Sequence, residues 1–263
     1  MAARRVDGVR QPTAGMGAVP ALGPTFRGIY VRGARGVRAA ASSTGLLDRL
    51  DATYRRKPRS VGGHLRTLFA IHDVDDLVQL DTPWWTYGAV AQVEAHLASL
   101  GGKARVFEYG SGASTVWLAR RSGEVHSVEH HAGFAGVMRR VLAEAGVDDR
   151  AELLEVAAER TPRPSTTSGR RGEDDVDYTA YANTIAAVGG QFDLVVVDGR
   201  ARIACLRRAI PFVAPGGLMV LDDSQRPRYR EGLADPRLDV TREWGWVPSL
   251  PYPRETALVR PTR

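Results

Sequence analysis

Apolar and polar positions along residues 104–221 alternate in a rhythm of short strands and longer helices. The stretches 104–107, 125–128 and 192–197 have the length of short strands, and 192–197, which is apolar apart from Asp193, has the character of a buried parallel strand. Between them lie segments in which apolar residues recur every three or four positions, most clearly over 132–145. Strands that alternate with helices of this length favour a parallel sheet with right-handed crossovers.

The same reasoning predicts the other elements of the chain. Further helices are expected at 46–55, between Val90 and Leu100, at 114–121, at 178–188 and from Ile203 to Val213; further strands are expected at 153–156, 218–221, 238–246 and 255–260. Residues 160–176 are polar and predict a loop, and Pro215-Gly-Gly217 predicts a turn into the strand that follows.

Length and charge divide the chain into two parts. Its 263 residues, 43% of them hydrophobic, suffice for one sizeable domain, which we place at 61–263. The net charge is +6, but residues 1–60 hold twelve Lys and Arg against three Asp. We therefore expect 1–60 to be a basic, largely disordered leader. Because no basic stripe interleaved with aromatics follows it, we expect no nucleic-acid partner.

Cysteine use and hydropathy bear on the compartment. Cys205 is the single cysteine, so the sequence predicts neither an internal disulfide nor a thiolate metal site. No apolar run reaches the roughly 18 residues of a membrane span, and the first thirty residues lack the apolar core of a secretory signal. The expected location is the cytoplasm.

The most informative stretch is 108–115, which reads Glu-Tyr-Gly-Ser-Gly-Ala-Ser-Thr between a predicted strand and a predicted helix. Gly110 permits a tight turn there, and Gly112 leaves room for a ligand to approach the backbone. Glu129 follows Gly110 by nineteen residues, at the end of the second strand. An acid at that distance is placed to accept hydrogen bonds from ribose hydroxyls, so a nucleoside-containing cofactor is expected.

Charge at the loop indicates which nucleoside. A dinucleotide fingerprint would carry a third glycine near 115, where this chain has Thr115, and Glu108 would repel a pyrophosphate. An acid in that position suits a cationic sulfonium nucleoside with an amino group. The alternatives are a nucleotide-dependent oxidoreductase, or a Rossmann-like domain whose glycines serve only helix–strand packing.

The stretch 106–119 strongly resembles the first motif of class I S-adenosylmethionine-dependent methyltransferases, and 127–130 resembles their ribose-binding strand end. The resemblance implies a doubly wound, Rossmann-like α/β fold: a three-layer sandwich with a seven-stranded, mostly parallel sheet whose last two strands form an antiparallel end. It also implies methyl transfer from S-adenosylmethionine to a small-molecule acceptor, expected at oxygen, or a non-catalytic cofactor-binding protein with the same fold. The implied cofactor-binding residues are Glu108, Tyr109, Gly110, Ser111, Gly112, Ser114, Thr115, Glu129, His130 and Asp198.

Acids also follow the later strands. Asp198 comes after the strand 192–197, and Asp222 and Asp223 come after 218–221, in a pattern similar to catechol-type and macrocin-type O-methyltransferases. That resemblance implies that these three acids bind Mg²⁺ or another divalent cation, with Asp198 facing the reaction centre as the catalytic residue. Alternatively, Asp198 binds the methionine amino group or caps the next helix, and Asp222 and Asp223 pair with nearby arginines.

Several other side chains have two interpretations each. Arg200 and Arg202 would lie at the substrate mouth, where guanidinium groups suit an anionic substrate or pair with the neighbouring acids. One of His130 and His131 is a candidate general base, or these side chains lie at the surface or pack against adenine. Trp84 and Trp85, before the first helix of the domain, either pack in the core or cover the cofactor or substrate.

Overall fold

Seven strands form the central sheet of the protein. The computed structural model describes residues 45–70 and 74–262. The described strands are β1 (Arg105–Tyr109), β2 (Glu124–Glu129), β3 (Ala151–Glu155), β4 (Glu159–Arg160), β5 (Val176–Asp177), β6 (Phe192–Val197), β7 (Val213–Leu221), β8 (Leu238–Gly245) and β9 (Arg254–Pro261). Strands β4 and β5 form a separate two-stranded sheet, and the other seven form the central sheet. The sheet has the order β3-β2-β1-β6-β7-β9-β8, and only the pairs that involve β9 are antiparallel. The predicted sheet, including its antiparallel end, is confirmed.

Helices cover both faces of this sheet. They are α1 (Leu46–Arg56), α2 (Val61–Thr67), α3 (Val74–Gln79), α4 (Tyr87–Ser99), α5 (Ala113–Ala119), α6 (Ala132–Glu144), α7 (Thr179–Val188), α8 (Arg202–Ala209) and α9 (Arg230–Leu233). One core contains Val93, Trp117 and Met138, from α4, α5 and α6. The other contains Ile185 and Leu206, from α7 and α8. The protein is therefore the three-layer sandwich expected from its sequence.

Strand β6 shows why a central strand of this sheet can be almost entirely apolar. Leu194 and Val196 pack into the core formed by α4, α5 and α6, whereas Val195 and Val197 pack into the core formed by α7 and α8. All four side chains are fully buried. Because both faces are covered, the strand lacks the polar alternation of a half-exposed sheet.

The boundary between α8 and β7 differs from the prediction. The sequence predicts a helix that reaches Val213, but α8 ends at Ala209 and a 3-10 turn covers Ile210–Phe212. Pro211 explains the difference, because proline lacks an N–H and its ring collides with the preceding helical turn. Val213 instead opens β7 and pairs with Phe192 on β6, so the predicted turn at 215–217 lies inside the strand.

Helix α1 lies inside the segment that the sequence assigned to a leader. Tyr54 on this helix is 9% exposed, and its hydroxyl donates a hydrogen bond to the Leu80 carbonyl at 2.7 Å. The folded body thus begins before residue 61. The rest of the expected leader, 1–44, lies outside the described residues. No helix of the described chain is long and apolar enough to cross a membrane.

Candidate cofactor and substrate site

A cleft opens at the carboxyl ends of β1, β2 and β6. Strand β1 lies between the other two, and doubly wound sheets bind ligands where the chain leaves neighbouring strands in opposite directions. The cleft and the open space at its mouth together span about 670 Å³. Its lining residues are Leu77, Trp84, Gly110, Ser111, Gly112, Ala113, Ser114, Glu129, His130, Phe134, Asp198, Gly199 and Arg200.

The loop after β1 passes directly over the loop after β6. Gly110 has φ +94°, and a β-carbon added to it would lie 2.5 Å from the Gly199 Cα. The Gly110 N–H donates to the Val128 carbonyl at 2.9 Å, which fixes the turn to β2. Only glycine accommodates both this conformation and this contact, and the loop backbone is left open toward the cleft.

Glu108 supports this loop from beneath. It is fully buried on β1, and hydroxyls donate to its carboxyl oxygens from Ser114 (2.5 Å), Thr115 (2.5 Å) and Ser127 (2.7 Å). Burial raises the pKa of Glu108 to about 7, despite these hydrogen bonds. Because its oxygens are already engaged and it does not line the cleft, Glu108 holds α5 against β1 and β2.

Glu129 is the acid that borders the cleft. Its Oε1 accepts from the His131 amide at 2.8 Å, and its Oε2 accepts from the Ser111 hydroxyl at 3.1 Å. The Nδ1 of His130 lies 2.9 Å from Oε1. Burial opposes ionisation, but the nearby His130 imidazole and the hydrogen bonds from the His131 amide and the Ser111 hydroxyl hold the pKa of Glu129 below its ordinary value. An ionised carboxylate is therefore fixed beside the glycine loop.

His130 joins the cleft to a group of tyrosines. Its ring packs edge-on against Tyr178 and Tyr181, with centroid separations of 5.8 Å and 5.9 Å. A β-carbon on Gly199 would lie 2.0 Å from the Tyr181 hydroxyl oxygen. Tyr181 thus supports the loop after β6 from below, and Gly199 has no room for a side chain.

Comparison with known proteins agrees with this geometry. Residues 107–224 match the family model described as a methyltransferase domain. The match contains β1, the glycine loop, Glu129, Asp198 and the acids after β7. This match and the seven-stranded fold support a class I S-adenosylmethionine-dependent methyltransferase domain. No curated protein matches the sequence.

Solved structures show the same fold as this methyltransferase domain. A Klebsiella pneumoniae protein described as a candidate O-methyltransferase has a TM-score of 0.53 at 21% identity, over 81% of this chain and 96% of its own. The O-methyltransferase TomG of Streptomyces achromogenes, solved with S-adenosylmethionine, has 0.50 at 22%, over 73% and 90%. A Bacillus cereus O-methyltransferase, solved with S-adenosylhomocysteine, has 0.51 at 18%, over 72% and 90%.

Arg202 balances two of the acids at the ends of β6 and β7. Its side chain is 1% exposed, and it donates to Asp198 Oδ1 at 2.6 Å and to the Asp222 carbonyl. Its Nη1 also lies 3.7 Å from Asp222 Oδ2. Burial, followed by the charges of the neighbouring acids, raises the pKa of Asp222 well above its usual value. Arg202 is therefore a structural counter-ion of the methyltransferase domain.

Two more arginines hold Asp223. Arg226 donates to its Oδ2, and Arg254 Nη1 lies 2.9 Å from its Oδ1. Burial opposes ionisation, but the arginines, Arg202 first among them, hold the pKa of Asp223 below its ordinary value. Among the described residues, no three His, Cys, Asp or Glu side chains are grouped to hold a metal ion. The ligand set implied for Mg²⁺ does not fit this arrangement.

The residues expected at the site divide into two groups. Gly110, Ser111, Gly112, Ser114, Glu129, His130 and Asp198 line the cleft, whereas Glu108, Tyr109, Thr115, Asp222 and Asp223 lie behind it or beside it. Trp84 lines the cleft, but Trp85 is buried and packs edge-on against Trp117 at 5.9 Å. Trp85 thus packs in the core, and Trp84 borders the cleft, where covering the cofactor or substrate stays a prediction.

Two apolar residues of the cleft were not identified as site residues from the sequence. Leu77 lies on α3, a helix of one and a half turns that is too short for a recognisable period. Phe134 was predicted on the apolar face of α6, and its position at the start of that helix, just after Glu129, is the signal that places it at the cleft.

Proposed function

We propose that the protein transfers a methyl group from S-adenosylmethionine to an oxygen atom of a small-molecule acceptor. The observation that carries the proposal is the position of Glu129, whose anchored carboxylate borders the same cleft as the Gly110–Gly112 loop. An ionised acid at this strand end suits ribose hydroxyls, which donate hydrogen bonds to it. The Cβ-free loop beside it allows a ligand to approach the backbone closely.

The other cofactor residues contribute in different ways. Ser111 and Ser114 offer hydroxyls at the loop and at the start of α5, and His130 closes the cleft next to Glu129. Glu108 and Thr115 act from beneath, through the hydrogen bonds that fix the start of α5, and the Tyr109 hydroxyl ties β1 to α7 by donating to the Ala182 carbonyl. These residues fit the cofactor, because Glu129, which faces the cleft, is ionised, and Glu108, which lies behind it, already accepts hydrogen bonds from three hydroxyls.

S-adenosylmethionine, when bound, supplies a methyl group that its sulfonium has already activated. The protein therefore contributes mainly alignment of the acceptor and exclusion of water. Asp198 lines the cleft with 20% of its side chain exposed, and Arg202 fixes its orientation. We assign to Asp198 the orientation of the acceptor hydroxyl and acceptance of its proton. Trp84 and Phe134 narrow the cleft and exclude water.

The acceptor atom and its charge follow from two further points. An oxygen acceptor agrees with the fold neighbours described as O-methyltransferases. Arg200 lines the cleft and favours an acceptor that carries a negative charge. We further propose that Arg202, Arg226 and Arg254 supply the positive charge that a divalent cation provides in catechol-type enzymes, so that transfer needs no metal.

Turnover with a panel of hydroxylated small molecules tests this function. Release of S-adenosylhomocysteine, together with an acceptor heavier by one methylene, is the expected result. Asp198→Asn should lower kcat by about a hundredfold, the lower range for loss of a general base, whereas Asp149→Asn, 74% exposed on the surface, should not change it. If no acceptor is methylated although S-adenosylhomocysteine binds, the protein is a cofactor-binding protein without this activity.

A further inference from the structure

A second, smaller pocket adjoins the cofactor cleft, and five arginines line it. The arginines are Arg170, Arg200, Arg202, Arg226 and Arg228. The two cavities share Gly199 and Arg200, so the pocket opens beside Asp198, where the acceptor would react. In the described part of the chain, no carboxylate lines this pocket.

Not all of this positive charge is balanced by nearby acids. Arg202 and Arg226 are engaged with the acids after β6 and β7, as described above. Arg170 and Arg200 share one carboxylate, that of Glu173, at 3.0 Å and 3.6 Å. Arg228 is exposed, and its contacts are with its neighbour Tyr229, whose hydroxyl lies 3.0 Å from Nη2. The pocket therefore carries an excess of positive charge.

Arg200 is the strongest sign of a missing ligand. It is 7% exposed, and its buried Nε, which lies 3.6 Å from Glu173 Oε2, makes no hydrogen bond. Burial of a guanidinium donor without an acceptor is unfavourable, and such groups in native structures usually face a ligand or water. Arg200 lies at the boundary of the two cavities, so an acceptor oxyanion in the pocket would satisfy it.

The start of helix α8 adds to the positive electrostatic potential of the pocket. The helix begins at Arg202 without a side-chain cap, and Ala201 before it lines the pocket. Unsatisfied N–H groups and the helix dipole make such an end attractive to anions. The fork of an arginine matches the planar oxygens of a carboxylate or two oxygens of a phosphate.

We propose that this arginine pocket binds a carboxylate or phosphate group of the methyl acceptor and presents the acceptor's hydroxyl to the cofactor cleft. The position of the hydroxyl rests on the proposed methyl transfer, whereas binding of the oxyanion does not. The substrate class is then a hydroxylated acid, and neutral counterparts of the same shape should be poor acceptors.

Arg228→Gln tests the pocket without disturbing the core, because this side chain is exposed. Arg230→Gln is the matched control: it is exposed, two residues further along the chain, and outside the pocket. Inorganic phosphate and benzoate are titrated calorimetrically into the full chain saturated with S-adenosylhomocysteine, with chloride as the reference at equal ionic strength. At least one oxyanion should bind, and Arg228→Gln should weaken it about fivefold to tenfold, the tenfold limit being about 1.4 kcal/mol. Arg230→Gln should leave the affinity unchanged.

The two oxyanions separate the two sources of the group. Tighter binding of benzoate indicates a carboxylate acceptor, and tighter binding of phosphate indicates a phosphate ester. If neither binds more tightly than chloride, or if both variants behave alike, the pocket is not an anion site. The affinity for S-adenosylhomocysteine is measured alongside and should be the same in all three proteins. If S-adenosylhomocysteine does not bind, the methyltransferase proposal is contradicted. If S-adenosylhomocysteine binds but neither oxyanion does, only the proposal for the pocket is contradicted.

A paired set of acceptors provides a second test. Hydroxybenzoates and the corresponding hydroxybenzamides differ in charge but little in shape. Arg228→Gln should raise KM for a charged acceptor about fivefold to tenfold and leave kcat within about twofold, because the side chain binds but does not react. Equal turnover of acids and amides by the unaltered protein would overturn the proposal.

Discussion

The backbone of Gly199 occupies the space that a β-carbon on Gly110 would need, at a distance of 2.5 Å from Cβ to Cα. The two glycines belong to the loops after β1 and β6, the neighbouring strands that the chain leaves in opposite directions. Their contact brings Asp198, next to Gly199, up to the cofactor loop. The proposed methyl donor and acceptor would thereby share one cleft.

Gly110→Ala should disrupt this contact. The substitution adds a methyl group against backbone atoms and imposes φ +94° on a residue with a side chain. A loss of about 2–4 kcal/mol in the free energy of unfolding is expected, measured by urea denaturation. The control is Gly136→Ala on α6, where nothing lies within 4 Å and helix propensity should make the change neutral or stabilising. Equal stability of the two variants would show that the loops do not need this contact.

Arg202→Met should destabilise the fold much more than a surface arginine would. The change leaves the Asp198 and Asp222 carboxyls without their buried counter-ion, a loss that is about 3–5 kcal/mol for a broken buried pair. Arg208→Met, exposed on the same helix, is the control and should change stability by less than about 0.5 kcal/mol. Urea denaturation of both variants decides the matter. A similar small effect for both would mean that Arg202 is not the counter-ion.

Added metal should not stabilise the protein. A cation bound to the folded state would raise the thermal midpoint by mass action. Because Arg202, Arg226 and Arg254 already hold the acids, we expect equal midpoints with magnesium, manganese or chelator at matched ionic strength. A midpoint that rises with magnesium and is abolished in Asp223→Ala would restore the catechol-type arrangement.

Glu108 should make stability depend on pH. Burial raises its folded-state pKa to about 7, above the ordinary value of 4.5, so between these values the folded protein keeps a proton that the unfolded chain has lost. Stability should therefore fall as pH rises from 4.5 to 7 and stay level above that. The stability difference between the unaltered protein and Glu108→Gln should shrink by about 2–4 kcal/mol over this range. Glu144→Gln, on the exposed surface of α6, gives the reference curve. If the free energy of unfolding depended on pH in the same way for Glu108→Gln and Glu144→Gln, the raised pKa of Glu108 would be contradicted.

Much of the fold was predictable because its signals are local. The apolar run of β6 needs only burial on two faces, and the period of α6 needs only one buried face. The end of α8 was missed because Val213 continues the helical spacing, although Pro211 stops the helix two residues earlier. A prediction from the spacing of apolar residues alone does not take into account that Pro211 lacks a backbone N–H.

The candidate site was predictable in its residues but not in its pairings. The sequence places Glu108 and Glu129 at neighbouring strand ends, yet only the structure shows that hydroxyls engage the first and that the second borders the cleft. The competition between a metal and arginines for Asp222 and Asp223 depends on contacts such as that of Arg254, thirty-one residues beyond Asp223 on β9. Long-range partners of this kind leave no pattern in the sequence.

The central claim, that Glu129 and the glycine loop bind S-adenosylmethionine, is tested most directly by calorimetric titration of S-adenosylhomocysteine. Glu129→Gln should weaken binding by about 1.5–3 kcal/mol, roughly tenfold to a hundredfold. Glu124→Gln, half-exposed at the opposite end of β2, should bind like the unaltered protein, and NAD should bind far more weakly than S-adenosylhomocysteine. Tighter binding of NAD, or an unchanged affinity in Glu129→Gln, would contradict the account.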